Sequence, residues 1–431
     1  MATWILAAYI ALIFVRPMDW WAPVQGMRLV NMAAIATLFA AVPRLLSQHF
    51  VVWRLPQTKF ALALVLGATL SWLYPFWGSG MLMAFQDIGR LIVLYFLIVF
   101  VARDSRRLNW LVWTILACVV WMAVHAILQA HTGQGFGGQE ALTRRIGTED
   151  QPRYIQQAVA FGIFNDPNDL CLAFVIAVPL LLAAYRMAQQ PLVRWFTLAL
   201  VPLVLYGAWL TNSRGGMVGL LGMLAAYALA RMKGHRRWVF LTVGVLVLTV
   251  LAPSRFSRSS GVDTGRVNAW GSGIMSFQEH PLFGIGYDNF EDLAEGIQAH
   301  NSFIHVLAEL GLAGYVPWFL LIALTLVHVR RAMQLKDQIP ARDHHYLSAL
   351  FSALVGFLTS SYFLSRAYNP VLYILLGLAI AQVMASTTRP ELHQQVFGKL
   401  RLDLTRTLLC CLASIPFFWV TIRLANIAAG R

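Results

Sequence analysis

A chain of 431 residues that is 58% hydrophobic and 12% charged, with mean hydropathy +0.63, is too apolar for a soluble domain, where about a quarter of residues are charged. A net charge of +14 would suit a nucleic-acid binder if the cations formed one patch, but they are scattered over short segments between apolar runs. That excludes nucleic acid as a partner and leaves an all-α integral membrane protein, a single polytopic membrane domain over residues 1–431.

Apolar runs at 3–15, 28–43, 60–77, 85–102 and 109–129 read as the first five spans. No Lys or Arg precedes Arg16, so the first run reads as a retained span and not a cleaved signal. A polar loop over 131–169 follows, with Arg144, Arg145 and Arg153 in its middle. These arginines can add to a basic cleft or can simply be solvated. The loop ends in Asn165-Asp166-Pro167-Asn168-Asp169-Leu170, where Asp166 before Pro167 predicts a turn and Asn168 or Asp169 predicts a helix cap.

Spans at 170–185 and 195–210 lead to Thr211-Asn212-Ser213-Arg214-Gly215-Gly216, a tight turn before the span at 216–230. An arginine at the lipid boundary is costly unless it snorkels, pairs or binds a ligand. Beside two glycines, which permit close approach, its guanidinium suits an anion such as phosphate. A span at 238–252 then opens a long polar loop over 253–302. Within it, Asp263 or Thr264 can cap a short surface helix whose apolar positions Val267, Trp270, Ile274 and Phe277 recur at helical spacing, and His280-Pro281 ends it. Arg266 would fall in the first turn, where the helix dipole disfavours a cation, so it either pairs with Asp263 or binds an anion.

The next span, at 303–328, begins with His300-Asn301-Ser302-Phe303. A helix N-terminus disfavours the imidazolium, so His300 can be neutral and accept a proton. His305 and Glu309 are four residues apart and can pair inside the span. Spans at 346–364, 370–385 and 407–422 complete 12 or 13, the last of which can be peripheral. Cys118, Cys171, Cys410 and Cys411 all sit in apolar runs and read as small hydrophobes.

The cations set the orientation. Arg44, Arg54 and Lys59; Arg103, Arg106 and Arg107; Arg231, Lys233, Arg236 and Arg237; Arg330, Arg331, Lys336 and Arg342; and Arg389, Lys399, Arg401 and Arg406 all fall on one face, read as cytoplasmic. The two long loops lie on the other face, which in a bacterium is the periplasm. No HExxH, CxxC or Walker loop is present, and Trp270-Gly271-Ser272-Gly273 lies in a loop where an intramembrane serine protease would need it in a span.

The turn Ser213-Arg214-Gly215-Gly216, the segment Gly265-Arg266…Trp270, His280-Pro281-Leu282-Phe283-Gly284-Ile285-Gly286, and His300-Asn301-Ser302-Phe303 with Glu309-Leu310-Gly311 and Gly314 together resemble the O-antigen ligase/polymerase superfamily of bacterial envelope glycosyltransferases. The motifs span about 205–320. The segment 165–170 also resembles the branch of exosortase-associated O-glycosylation ligases. The resemblance implies a GT-C-like helical arrangement in the bacterial inner membrane and a periplasmic site. It implies inverting transfer of a glycan from undecaprenyl diphosphate to an acceptor hydroxyl, with no metal and no cofactor. Arg214 and Arg266 would hold the diphosphate and His300 would act as general base, with Arg144, Arg145, Arg153, Asn301 and Glu309 as substrate-binding candidates. Lipid A–core is the first acceptor to consider; a growing polysaccharide or a protein acceptor would use the same donor. A flippase is a reading of another class, but it expects charged residues deep in several spans and inverted repeats. A non-catalytic scaffold would use the long loop for docking.

Overall fold

In the computed structural model the described residues are 1–74, 76–147, 152–232, 235–236, 262–293, 296 and 298–428. The predicted span at 238–252 lies outside them. The helices are α1 (Ala2–Val15), α2 (Pro17–Trp20), α3 (Leu29–Trp53), α4 (Pro56–Leu70), α5 (Gly78–Val101), α6 (Ser105–Thr132), α7 (Pro167–Met187), α8 (Pro191–Leu210) and α9 (Arg214–Arg231). They continue as α10 (Val262–Glu279), α11 (Phe290–Leu293), α12 (Ser302–Gln334), α13 (Ala341–Ser361), α14 (Pro370–Ser386), α15 (Pro390–Phe397) and α16 (Leu400–Ala428).

The protein is an all-α integral membrane protein. Among the described residues eight helices are long and apolar enough to cross a membrane, and the segment 390–424 is one of them. The predicted spans at 60–77, 216–230 and 346–364 form α4, α9 and α13, which fall outside that set. Helices α9 and α13 carry charged and imidazole groups at their ends (Arg214 and Arg231; Arg342, Asp343, His344 and His345), and their contact face is built from small residues. A Cβ on Gly219 would stand 1.8 Å from Ser360 Oγ, and one on Gly222 would stand 2.3 Å from Thr359 Oγ1. Such residues let two backbones approach closely, and they lower hydropathy while doing so.

Two boundaries differ from expectation. Asp166 caps α7, its carboxylate accepting from the Asn168 amide at 2.7 Å, with Pro167 in the first helical position. Asn168 and Asp169 are therefore inside the helix, because a proline suits the first turn and leaves the cap to the residue before it. Helix α10 begins at Val262, which puts Arg266 in the second turn, beyond the stretch where the dipole argument has force.

The loop over 131–169 holds an antiparallel hairpin, β1 (Leu142–Gly147) and β2 (Pro152–Gln157), that the helical pattern of the chain did not suggest. It pairs Arg144 with Ile155, Arg145 with Tyr154 and Ile146 with Arg153. The two strands are polar enough to read as solvated loop; what makes them a hairpin is their own ladder and the attachment of its base described below.

Candidate functional site

The site grows from the junctions between helices at one end of the molecule. The chain leaves α8 and enters α9 through Asn212, whose left-handed backbone (φ +53°) suits asparagine. Ser213 caps α9 by accepting from the Gly216 amide at 3.0 Å. The hairpin is tied to this turn: Asn212 Nδ2 donates to Gln156 O (2.7 Å), Gln157 Nε2 to Thr211 O (3.1 Å), and Ala158 N to Leu210 O (3.0 Å). Ser213 Oγ also donates to Asn168 Oδ1 at 2.7 Å, so the turn, the hairpin base and the start of α7 form one unit.

The two glycines of this turn serve packing. A Cβ on Gly216 would lie 2.2 Å from Cys171 Sγ, and one on Gly215 would lie 3.3 Å from the Leu364 side chain. Close approach was expected here, but the approaching groups belong to the protein itself. Arg214 is exposed in the first turn of α9.

Leu364 belongs to the 362–369 connection between α13 and α14, whose central residue the sequence motifs did not flag. Arg366 forms ion pairs with Asp169 and with Asp166, the latter at 3.3 Å, and Asn369 Nδ2 donates to Asp169 Oδ1 at 3.1 Å. With two carboxylates around one guanidinium, Arg366 is committed to holding α7 and α14 together. The same reasoning that singled out Arg214, an arginine between two apolar runs, applies to Arg366 and would have found it. Its backbone amide donates to Ser302 Oγ at 2.7 Å, and that hydroxyl donates to Leu364 O at 2.7 Å.

Ser302 is the first residue of α12, and His300 stands just outside the helix. Asn301 caps it, accepting from the Phe303 and Ile304 amides at 3.0 and 3.2 Å. His300 is half-buried and left-handed, with φ +46°, a conformation that costs a non-glycine residue energy and persists only where the surroundings impose it. Helix α10 docks beside it: Trp270 Nε1 donates to Ala299 O at 2.6 Å, and a Cβ on Gly273 would lie 2.7 Å from Ile304. Ser272 is half-buried and its hydroxyl donates to Asn268 O one turn earlier, a contact within the helix.

Helix α12 is broken at Gly311 (φ +55°, ψ −160°), and the segment 281–286 is stitched into the break. Ile285 N donates to Ala308 O (3.1 Å), Gly286 N to Glu309 O (3.0 Å), Leu312 N to Pro281 O (2.9 Å) and Ala313 N to Leu282 O (2.9 Å). Those four bonds satisfy the amides and carbonyls a kinked helix leaves without partners. Gly284 and Gly311 have to be glycine here: a Cβ on the first would meet Glu309 O at 2.3 Å, and one on the second would meet Gly284 N at 2.6 Å.

Glu309 is fully buried behind the stitch. Its Oε1 pairs with His305 Nε2 at 2.9 Å and accepts from the Phe290 amide at 3.1 Å. The predicted His305–Glu309 pair is thus present, while Glu309 and Asn301 spend polar atoms on the protein and are sealed from solvent. Nearby Asp288, left-handed at φ +64°, has its pKa raised by desolvation first and by the charge of Glu309 second.

The structure therefore joins Arg214, the hairpin and His300 through Ser213, Arg366 and Ser302. Arg144 and Arg145 are exposed on β1. The side chains of Arg153 and Arg266 lie outside the described residues. His125, buried in α6, accepts the Phe136 amide at Nδ1 (2.9 Å) and faces Gln139 Oε1 at Nε2 (3.0 Å), so its ring is satisfied within the protein as a structural histidine.

The fold and the site define a multi-pass membrane protein with a polar constellation gathered at one end of its helices. Residues 199–319 match the family model described as O-antigen ligase, a similarity confined to that stretch of the chain. The matched stretch runs from α8 through the stitched break in α12, and so contains Arg214, Arg266 and His300. No curated protein matches the chain.

Proposed function

We propose that the protein is an inverting, metal-independent glycan ligase acting at the periplasmic face of the bacterial inner membrane, with an undecaprenyl-diphosphate-linked glycan as donor and lipid A–core as acceptor. The observation that carries this reading is His300 held in a left-handed backbone between a docked surface helix and a capped helix start, inside a segment matching O-antigen ligase. A strained residue at such a junction is a candidate for chemistry.

In this reading His300 takes the proton from the acceptor hydroxyl as the oxygen attacks the anomeric carbon from the face opposite the diphosphate. The bond from the anomeric carbon to the phosphate oxygen breaks, and undecaprenyl diphosphate leaves with the bonding pair. Arg214 and Arg266 stabilise the charge that develops on it. A donor whose tail stays in lipid explains why arginines are wanted at the membrane boundary. Arg144, Arg145 and Arg153 sit on a hairpin tied to the Arg214 turn and would contact glycan or diphosphate. Asn301 and Glu309 act as positioning residues for His300 and the stitched floor.

The test is reconstitution of the full-length protein with the lipid-linked donor and lipid A–core. Wild type should form the conjugate. His300→Asn keeps a residue that tolerates the left-handed backbone but removes the base, and should lose about 10²–10⁴-fold in rate with an unchanged melting temperature. Arg266→Lys keeps charge and loses the bidentate fork, and should lose about tenfold or more. No transfer by wild type, or full activity in His300→Asn, overturns the reading.

A further inference from the structure

Three helices that carry the candidate site at one end carry a second cluster at the other. Helix α7 runs from the Asp166 cap to Met187, α9 from the Ser213 cap to Arg231, and α13 from Ala341 up to the Arg366 connection. At these far ends a cavity of about 490 Å³ opens among α6, α7, α8 and α13. Arg186, Arg342, His345, Asn109 and Gln189 supply its polar lining, and Trp113 and Val193 stand among its apolar lining.

Its charge is one-sided. Arg231 backs the cavity, its guanidinium donating to His344 Nδ1 and His345 Nδ1 at 2.7 Å each, which leaves both imidazoles neutral with an Nε2–H to donate. Arg186 and Arg231 are near enough for their charges to repel. Arg186 rests over the Tyr227 ring at 5.6 Å; Arg342 lies 6.0 Å from the Tyr346 ring and donates to Ser105 O at 3.0 Å. Among the described residues none of these three arginines is ion-paired to a carboxylate. Asp343 is engaged by Ser105 Oγ, and Asp337 bears on His344.

We propose that this cavity is a binding site for the phosphate of an anionic phospholipid, unconnected with the transfer site at the other end of the same helices. Clustered guanidinium groups call for a doubly hydrogen-bonding anion, and phosphate accepts from them in bidentate fashion. The apolar lining beside them, at the ends of membrane-spanning helices, suits acyl chains, which inorganic phosphate lacks. A lipid held there braces α6, α7, α8 and α13 against one another.

Native mass spectrometry of the delipidated full-length protein tests this. Wild type should retain phosphatidylglycerol in preference to phosphatidylcholine. Arg186→Gln and Arg342→Gln should each weaken that retention about fivefold, and the double variant should combine the losses. Lys399→Gln, an exposed cation outside the cavity lining, should leave it unchanged. Equal retention of the two lipids by wild type, an unaltered double variant, an equal loss in Lys399→Gln, or displacement of the lipid by inorganic phosphate would each overturn the proposal. Should the double variant fail to fold, the wild-type lipid preference and the phosphate competition still decide.

Discussion

Two side chains twelve residues apart in the site region, Asp288 and His300, occupy left-handed backbone. Both residue types enter this conformation more readily than most, and His300 is further bracketed by the cap at Asn301 on one side and the Trp270 bond to Ala299 on the other. Asp288 also has its pKa raised, by desolvation and then by Glu309. A carboxyl whose folded value lies above its unfolded value adds stability fully below the unfolded value, and that contribution is lost as pH rises through the raised one. Asp288→Asn should therefore melt above wild type near neutral pH, and the two should converge as the pH falls through the ordinary carboxylate range, read by thermal unfolding across pH. The residue motifs around Arg214, Arg266 and His300 were visible in the sequence because each breaks an apolar pattern. The roles of Gly215, Gly216, Gly284 and Gly311 were not, since a glycine's reason for being glycine lies in what comes to meet it, and here those partners are up to 149 residues away (Leu364 for Gly215).

At the scale of elements, helix boundaries followed apolar runs closely, and the errors came from tertiary attachments. The hairpin at 142–157 has no strong strand pattern and owes its place to bonds from residues 210–212. Arg366 breaks an apolar pattern as Arg214 does, but what it holds together was not legible, because its partners Asp166 and Asp169 lie about 200 residues earlier in the chain. Arg366→Gln leaves Asp169 buried without its cation and should cost about 3–5 kcal/mol, measured by thermal unfolding; adding Asp169→Asn should recover part of that loss, because the uncompensated charge goes with it. Gly311→Ala places a Cβ 2.6 Å from the Gly284 amide nitrogen on a left-handed backbone, and should destabilise by about 3 kcal/mol or prevent folding, read as loss of the monodisperse detergent-purified protein.

Over the whole molecule, the loop cations predict the face that each end of the helices occupies. Sidedness can be read directly after Cys118, Cys171, Cys410 and Cys411 are replaced by alanine. In intact cells a membrane-impermeant maleimide should label Glu140→Cys, on the hairpin loop, and should reach Lys399→Cys only after lysis; the reverse pattern would invert the orientation. One consequence of the break at Gly311 reaches further. Ala308 and Ser302 are six residues apart, so the segment 281–286 meets α12 about 10 Å along its axis from the end facing the site. At that depth an amide deprived of its partner costs several kcal/mol, so the six-residue segment cannot swing aside to admit a bulky lipid-borne sugar. It acts as fixed flooring, and traffic has to pass over it. Homologous hairpins or surface helices could accordingly be exchanged to alter which saccharide is accepted, provided this inlay and the helix it fills are transplanted as a single piece.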